Sequence, residues 1–159
     1  VSGAGIRRVR EPDLAAVAGL IRELAEYERT PPRCRPTRGQ LARSLFGAEP
    51  ALFGHVAEAR GEVVGCALWL PDLSAGPGCD GIFLKDLYVR PEHRGRGLGR
   101  GLLAALAAES CQRGFDRLEW SVAQWNMPAI GFYEYLGARP TPEGTGYRLS
   151  SAALTALGQ

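Results

Sequence analysis

The chain has 159 residues, 45% of them hydrophobic and 23% charged, the composition of a single globular domain in water. Nineteen basic against seventeen acidic side chains leave a formal net charge of +2, too small an excess for nucleic acid to be the main partner. No apolar run approaches the roughly 20 residues of a membrane span, and no basic segment followed by an apolar stretch opens the chain, so neither a membrane nor a secretory route is expected.

Ile6 to Arg10 reads as a first strand. Pro12 suits a first helical turn, and Leu14, Val17, Leu20, Ile21 and Leu24 then recur at helical spacing, a buried stripe that runs out near Arg29. Thr37 with Gln40 is a capping-box pair that starts a second helix carrying Leu41, Leu45 and Phe46. Leu52–Ala59 and Val63–Leu70 read as two strands around the turn residues Arg60, Gly61 and Glu62. After a loop from Pro71 to Gly81 comes a third extended run, Ile82 to Val89, interrupted by the polar pair Lys85 and Asp86. Leu98, Leu102, Leu103 and Leu106 mark a helix, Leu118 to Val122 a strand, and Asn126 caps a helix that ends near Tyr135, closed by Gly137. A strand-turn-strand region to Leu149 and a small, alanine-rich tail finish the chain. The order β-α-α-β-β-β-α-β-α-β, with a hairpin in its middle, is not the strict alternation of a parallel doubly wound sheet. One α/β domain over residues 1–159 is expected.

Cys34, Cys66, Cys79 and Cys111 stand apart with no CxxC pair, and His55 and His93 are the only histidines. No metal-ligand constellation follows, and reduced thiols suit a cytoplasmic protein.

The chemistry concentrates in Val89-Arg-Pro-Glu-His-Arg-Gly-Arg-Gly-Leu-Gly-Arg-Gly101, between an apolar strand and a helix. Alternate glycines let a ligand approach the backbone, and successive N–H groups at a helix start, with its dipole, cradle an anion. Arg94 and Arg100 add side-chain charge, so a pyrophosphate suits the loop. A P-loop is excluded because no Lys follows the glycines, and a dinucleotide fingerprint because no GxGxxG register fits.

This loop resembles the R-G-x-G-x-G of the GNAT acetyltransferase superfamily. Asn126-Met-Pro-Ala-Ile-Gly-Phe-Tyr-Glu-Tyr-Leu-Gly137 resembles that family's N-x-x-A-x-x-F-Y-x-x-x-G segment. The resemblance implies a GNAT-like fold, a mixed and mostly antiparallel sheet with a splayed central strand pair and flanking helices. It implies acetyl-CoA as cosubstrate, with no metal, held by Leu87, Tyr88, Val89, Arg94, Gly95, Arg96, Gly97, Leu98, Gly99, Arg100 and Asn126. It gives Tyr133 the role of protonating the departing thiolate.

Leu20 to Glu28, Leu84 to Val89, Trp125-Asn126 and Phe132-Tyr133 narrow the resemblance to the diamine acetyltransferase branch, over nearly the whole chain. There, Tyr27, Glu28, Lys85, Asp86, Glu119, Trp120 and Ser121 match positions around the acceptor, and members pair as homodimers. Two departures stand out. Polyamine-specific members carry an acidic pair where this chain has Lys85-Asp86, and acidic residues before a Gly-Trp where it has Gly144-Thr145-Gly146-Tyr147. Fewer carboxylates and one added cation oppose a polycation and suit a lysine-like acceptor better.

The expected reaction is direct transfer to a small molecule's primary amine, since no cysteine looks activated. By resemblance the Val89 N–H binds the thioester carbonyl, where one oxyanion donor is worth about 3 kcal/mol. An alkyl amine with a pKa near 10.4 must first lose a proton, and Glu28, Asp86 and Glu119 are the candidate bases. The alternatives are a protein lysine or N-terminal acetyltransferase and, from another class, a non-catalytic CoA-binding regulatory module.

Overall fold

The computed structural model describes residues 5–74, 80–141 and 147–158, so Cys79 and the Gly144–Gly146 departure lie outside the described residues. The chain forms two compact units, Val1–Ser121 and Val122–Gln159.

The first unit is built on a five-stranded sheet in the order β1 (Gly5–Arg8), β2 (Phe53–Ala59), β3 (Glu62–Asp72), β4 (Gly81–Val89) and β5 (Arg117–Glu119). Neighbours pair antiparallel except β4 and β5, which are parallel. The β2–β3 hairpin turns on Arg60 and Gly61, both at positive φ (53° and 82°), the backbone a tight two-residue hairpin requires.

Alternation along the strands sorts the core into two faces. Val56, Cys66, Leu68 and Tyr88 pack with α1 (Leu14–Tyr27) and α2 (Arg38–Phe46) through Val17, Leu20, Ile21, Leu24, Leu41 and Leu45. The opposite face meets α3 (Leu98–Gln112), whose Leu98, Leu102, Leu103 and Leu106 are buried and which touches all five strands. Gly101 permits the close approach of α3 to β1, because a Cβ there would sit 3.0 Å from the Ile6 side chain. On this face the Trp69 indole N–H donates to Nδ1 of buried His55 at 3.2 Å. Burial lowers the His55 pKa, which suits the neutral, accepting imidazole. Leu102 has no exposed surface; Leu102→Ala should destabilise the protein by about 2–5 kcal/mol in denaturant unfolding.

The helix starts follow their local signals. Thr37 and Gln40 exchange both capping-box bonds (3.2 and 2.7 Å). Arg7 makes two bonds to Asp13 (2.7 and 2.9 Å), and Asp13 also accepts the Arg10 N–H, pinning the 3₁₀ turn that leads into α1. At the other end of α1, Arg29 takes a left-handed φ of 54°. The Thr30 N–H then reaches Ala25 C=O and the Arg29 N–H reaches Glu26 C=O, a double closing bond that fixes Tyr27 and Glu28 at the helix end.

In the second unit, α4 (Met127–Tyr135) starts at Asn126, whose Oδ1 accepts the Ala129 N–H, and ends at Gly137 with φ 93°. Residues 138–141 and 147–150 form no strand; instead the alanine-rich tail forms α5 (Ser151–Leu157). Among the described residues no helix is long and apolar enough to cross a membrane.

Candidate functional site

The centre of the first unit's site is the second half of β4. The parallel ladder to β5 covers only Gly81, Ile82 and Phe83, opposite Arg117, Leu118 and Glu119. From Leu84 onward β4 keeps β3 on one edge and has no described ladder on the other. The Arg90 N–H bonds to Val64 C=O of β3 at 3.0 Å. Because successive amides in a strand point to opposite edges, the N–H of Val89 points to the edge that β5 has left. Its carbonyl is on that edge too, where it accepts the Arg94 Nε–H at 2.7 Å.

A bulge aims the side chains of this stretch. Leu84 pairs with Trp69 and Asp86 with Leu68, so Lys85 is one residue too many on β4. In a regular strand Leu84 and Asp86, two residues apart, would share a face. With the extra residue, Leu84 joins Trp69 on the α3 face, and Asp86 turns to the α1 face beside Leu68 and Tyr88. There Asp86 meets the field of Glu28 from the end of α1. Burial, first, and then Glu28 push the Asp86 carboxyl up to about 6, with Lys85 pulling the other way. Glu28 is exposed, yet desolvation raises its pKa as well; the partial negative charge of the α1 C-terminus acts in the same direction. Glu119 takes no part in this carboxylate pair: its partner is Arg117, at 3.8 Å. Trp120 and Ser121 follow it, beyond the end of β5.

The glycine loop follows β4. A 3₁₀ turn at Pro91–His93 leads to Arg94, and then Gly95 and Gly97 adopt φ of 72° and 80° with open space where a Cβ would stand. A side chain at either position would strain the backbone and occupy that space. The first α3 bond runs from the Gly101 N–H to Gly97 C=O, so the N–H groups of Leu98, Gly99 and Arg100 lie outside the helical ladder at the positive end of the helix. Leu98 is buried and anchors this turn, while Arg96 and Arg100 are exposed. The arrangement fits an extended diphosphate lying along the loop.

Arg94 also turns back towards β4. Its guanidinium sits 5.4 Å from the Tyr88 ring centre and 6.0 Å from that of Tyr27. The loop and the end of α1 therefore share one cation. Glu23, which the motifs did not single out, holds this corner: it pairs with Arg90 at 3.2 Å, and its negative charge helps raise the Tyr88 pKa. Its i, i+4 spacing to Tyr27 on α1 was the available signal. In the second unit, Asn126 is the buried N-cap of α4. Tyr133 is half-buried on that helix, its ring 5.3 Å from Phe132, while Tyr135 is 83% exposed.

Residues 20–138, which contain the open β4 edge and the glycine loop, match the acetyltransferase (GNAT) family. The chain belongs to this family. It is 34% identical over 150 residues to the thialysine N-epsilon-acetyltransferase of Bos taurus, covering 89% of this chain and 88% of the relative. Among solved structures it superposes on an integron cassette protein of V. cholerae with a TM-score of 0.81 and 26% identity, over 98% of each chain. An aminoglycoside N-acetyltransferase in complex with CoA shares the fold, with a TM-score of 0.77 and 22% identity over 95% of this chain and 97% of the other. The GNAT fold thus accounts for the mixed sheet and for the strand pair that separates after Phe83.

Proposed function

We propose that this GNAT enzyme transfers the acetyl group of acetyl-CoA directly to the primary amine of a small molecule, acting as a homodimer in the cytoplasm. The observation that carries the reading is the open edge of β4, with the Val89 N–H directed along it, immediately before a loop shaped for a diphosphate. The thialysine acetyltransferase relative supports a small acceptor.

Acetyl-CoA brings the activated acyl group as a thioester. Gly95, Gly97 and the N–H groups of Leu98, Gly99 and Arg100 receive its diphosphate, with Arg94, Arg96 and Arg100 supplying charge. Asn126 holds the pantetheine arm, and the backbone of Leu87, Tyr88 and Val89 lines it. The Val89 N–H donates to the thioester oxygen as negative charge develops there. Asp86 removes the amine's proton: its carboxyl near 6 is ionised at neutral pH and is a stronger base than an ordinary aspartate. Glu28, Tyr27, Glu119, Trp120 and Ser121 bind the acceptor. Tyr133 returns a proton to the departing sulfur.

Cys66 plays no nucleophilic part. It is fully buried in β3, and burial pushes its thiol pKa up, away from the reactive thiolate.

Thiol release from acetyl-CoA, followed with free small amines and with a lysine-containing peptide, tests the reading. Turnover on the free amines and at most trace turnover on the peptide is expected. Preferential turnover on the peptide would move the protein-acetyltransferase alternative to the front. Coenzyme A binding without turnover on any acceptor would favour the regulatory module.

A further inference from the structure

Lys85 has no place in the chemistry above, yet it stands beside it. Ile82 to Val89 is apolar except for Lys85 and Asp86. The bulge needs one extra residue to turn Asp86 onto the α1 face, and nothing in that geometry requires the extra residue to be charged. Lys85 is exposed, lies two residues past the last β5 pairing, and acts electrostatically on Asp86. The charges that act on Asp86 are Lys85 from its own strand and Glu28 from the end of α1; across β3 its register partner is the apolar Leu68, and Asp86 in turn acts on the buried Cys66 thiol.

Two carboxylates and one ammonium thus gather where β4 opens. A diamine carries only cations, and one of them must lie in the field of Lys85, a like-charge cost that discriminates against it. An α-amino acid with a terminal side-chain amine carries two amines and one carboxylate, and matches the three groups sign for sign.

Resting on the amine-transfer reading, we infer that Lys85 binds the carboxylate of the acceptor, so that the acceptors are short α-amino acids bearing a terminal side-chain amine. Lys85 then sets specificity; it carries no proton itself and touches proton transfer only through the effect of its charge on Asp86. Its exposed position lets it be replaced without loss of the fold.

The test compares acceptors that differ only in the carboxylate: lysine against cadaverine, and ornithine against putrescine. The amino acid of each pair is expected to have the higher kcat/KM by about tenfold or more, the size of one charge-assisted hydrogen bond. Lys85→Gln should bring each ratio close to one, chiefly by raising KM for the amino acid, and Lys85→Glu should invert it. Diamines equal to or better than the amino acids in the unaltered protein would overturn the inference, as would ratios that survive Lys85→Gln. Calorimetric binding of the same pairs to the coenzyme A-loaded protein separates the two levels of the account. A binding preference that follows Lys85 in the absence of turnover would sink amine transfer and leave Lys85 as the carboxylate's partner. Equal turnover on both members of each pair would sink the role of Lys85 alone.

Discussion

Tyr133→Phe is expected to lower kcat by about 100-fold or more while leaving coenzyme A affinity within a factor of two or so, read by thiol release and by calorimetry. The substitution removes one hydroxyl. It leaves the ring that packs 5.3 Å from Phe132, so the helix from Met127 to Tyr135 should keep its place. In the proposed mechanism what is lost is the proton for the departing sulfur, whose thiol has an ordinary pKa of about 8.5. Tyr135 supplies the control. Two positions along the helix it points elsewhere and is 83% exposed, so Tyr135→Phe should retain full turnover. A Tyr133→Phe protein as active as the parent would remove the tyrosine from the mechanism.

The second large effect belongs to Asp86. Its carboxyl is held near 6, above the ordinary value of 3.8, because its half-buried place on β4 desolvates it and it lies in the field of Glu28. The base must be ionised to accept a proton, so kcat/KM should rise with pH through about 6 on its acid limb. Asp86→Asn should remove that limb and lower kcat by roughly 100- to 10,000-fold. The neighbours shift the limb in opposite directions. Lys85 lowers the Asp86 pKa, so Lys85→Gln should move the limb to higher pH; Glu28 raises it, so Glu28→Gln should move it lower. Stability should respond in the opposite sense to activity. A carboxyl whose pKa is raised on folding is ionised at a cost to the folded state above about pH 6, and at no cost below its unfolded value. Asp86→Asn should therefore leave Tm unchanged or raised at pH 8 and bring no gain at pH 3.5. An activity loss accompanied by a lower Tm at pH 8 would mean that Asp86 holds the fold together instead.

Features set by local chemistry could be read from the residues in order. The capping box of Thr37 and Gln40 and the Asn126 cap each depend on a few adjacent residues, and each is found where the pattern placed it. The apolar stripes of α1 and α3 were equally plain, since their burial follows from helical spacing. Features set by a partner strand were not readable. Lys85 and Asp86 looked like an interruption in an extended run, whereas β4 is continuous and the pair marks a bulge whose existence depends on the register with Leu68 and Trp69. The strand expected from Leu118 to Val122 stops at Glu119, because its ladder to β4 ends with Phe83. At the C-terminus, Pro140 withholds a donor from any ladder, and the alanines and leucines of the tail favour the helix they form. Within the site, the loop and the carboxylates were visible as residue types. That Glu28 and Asp86 share a field while Glu119 pairs with Arg117 required the fold.

The central claim is that the acetyl group passes directly from acetyl-CoA to an amine while both are bound. An initial-rate matrix, varying acetyl-CoA at several fixed concentrations of a turned-over amine, tests it most directly. Lines that intersect in the double-reciprocal plot are the predicted result, since both substrates must be present before thiol is released. Parallel lines would mean that the acetyl group first rests on the protein, and would contradict the account.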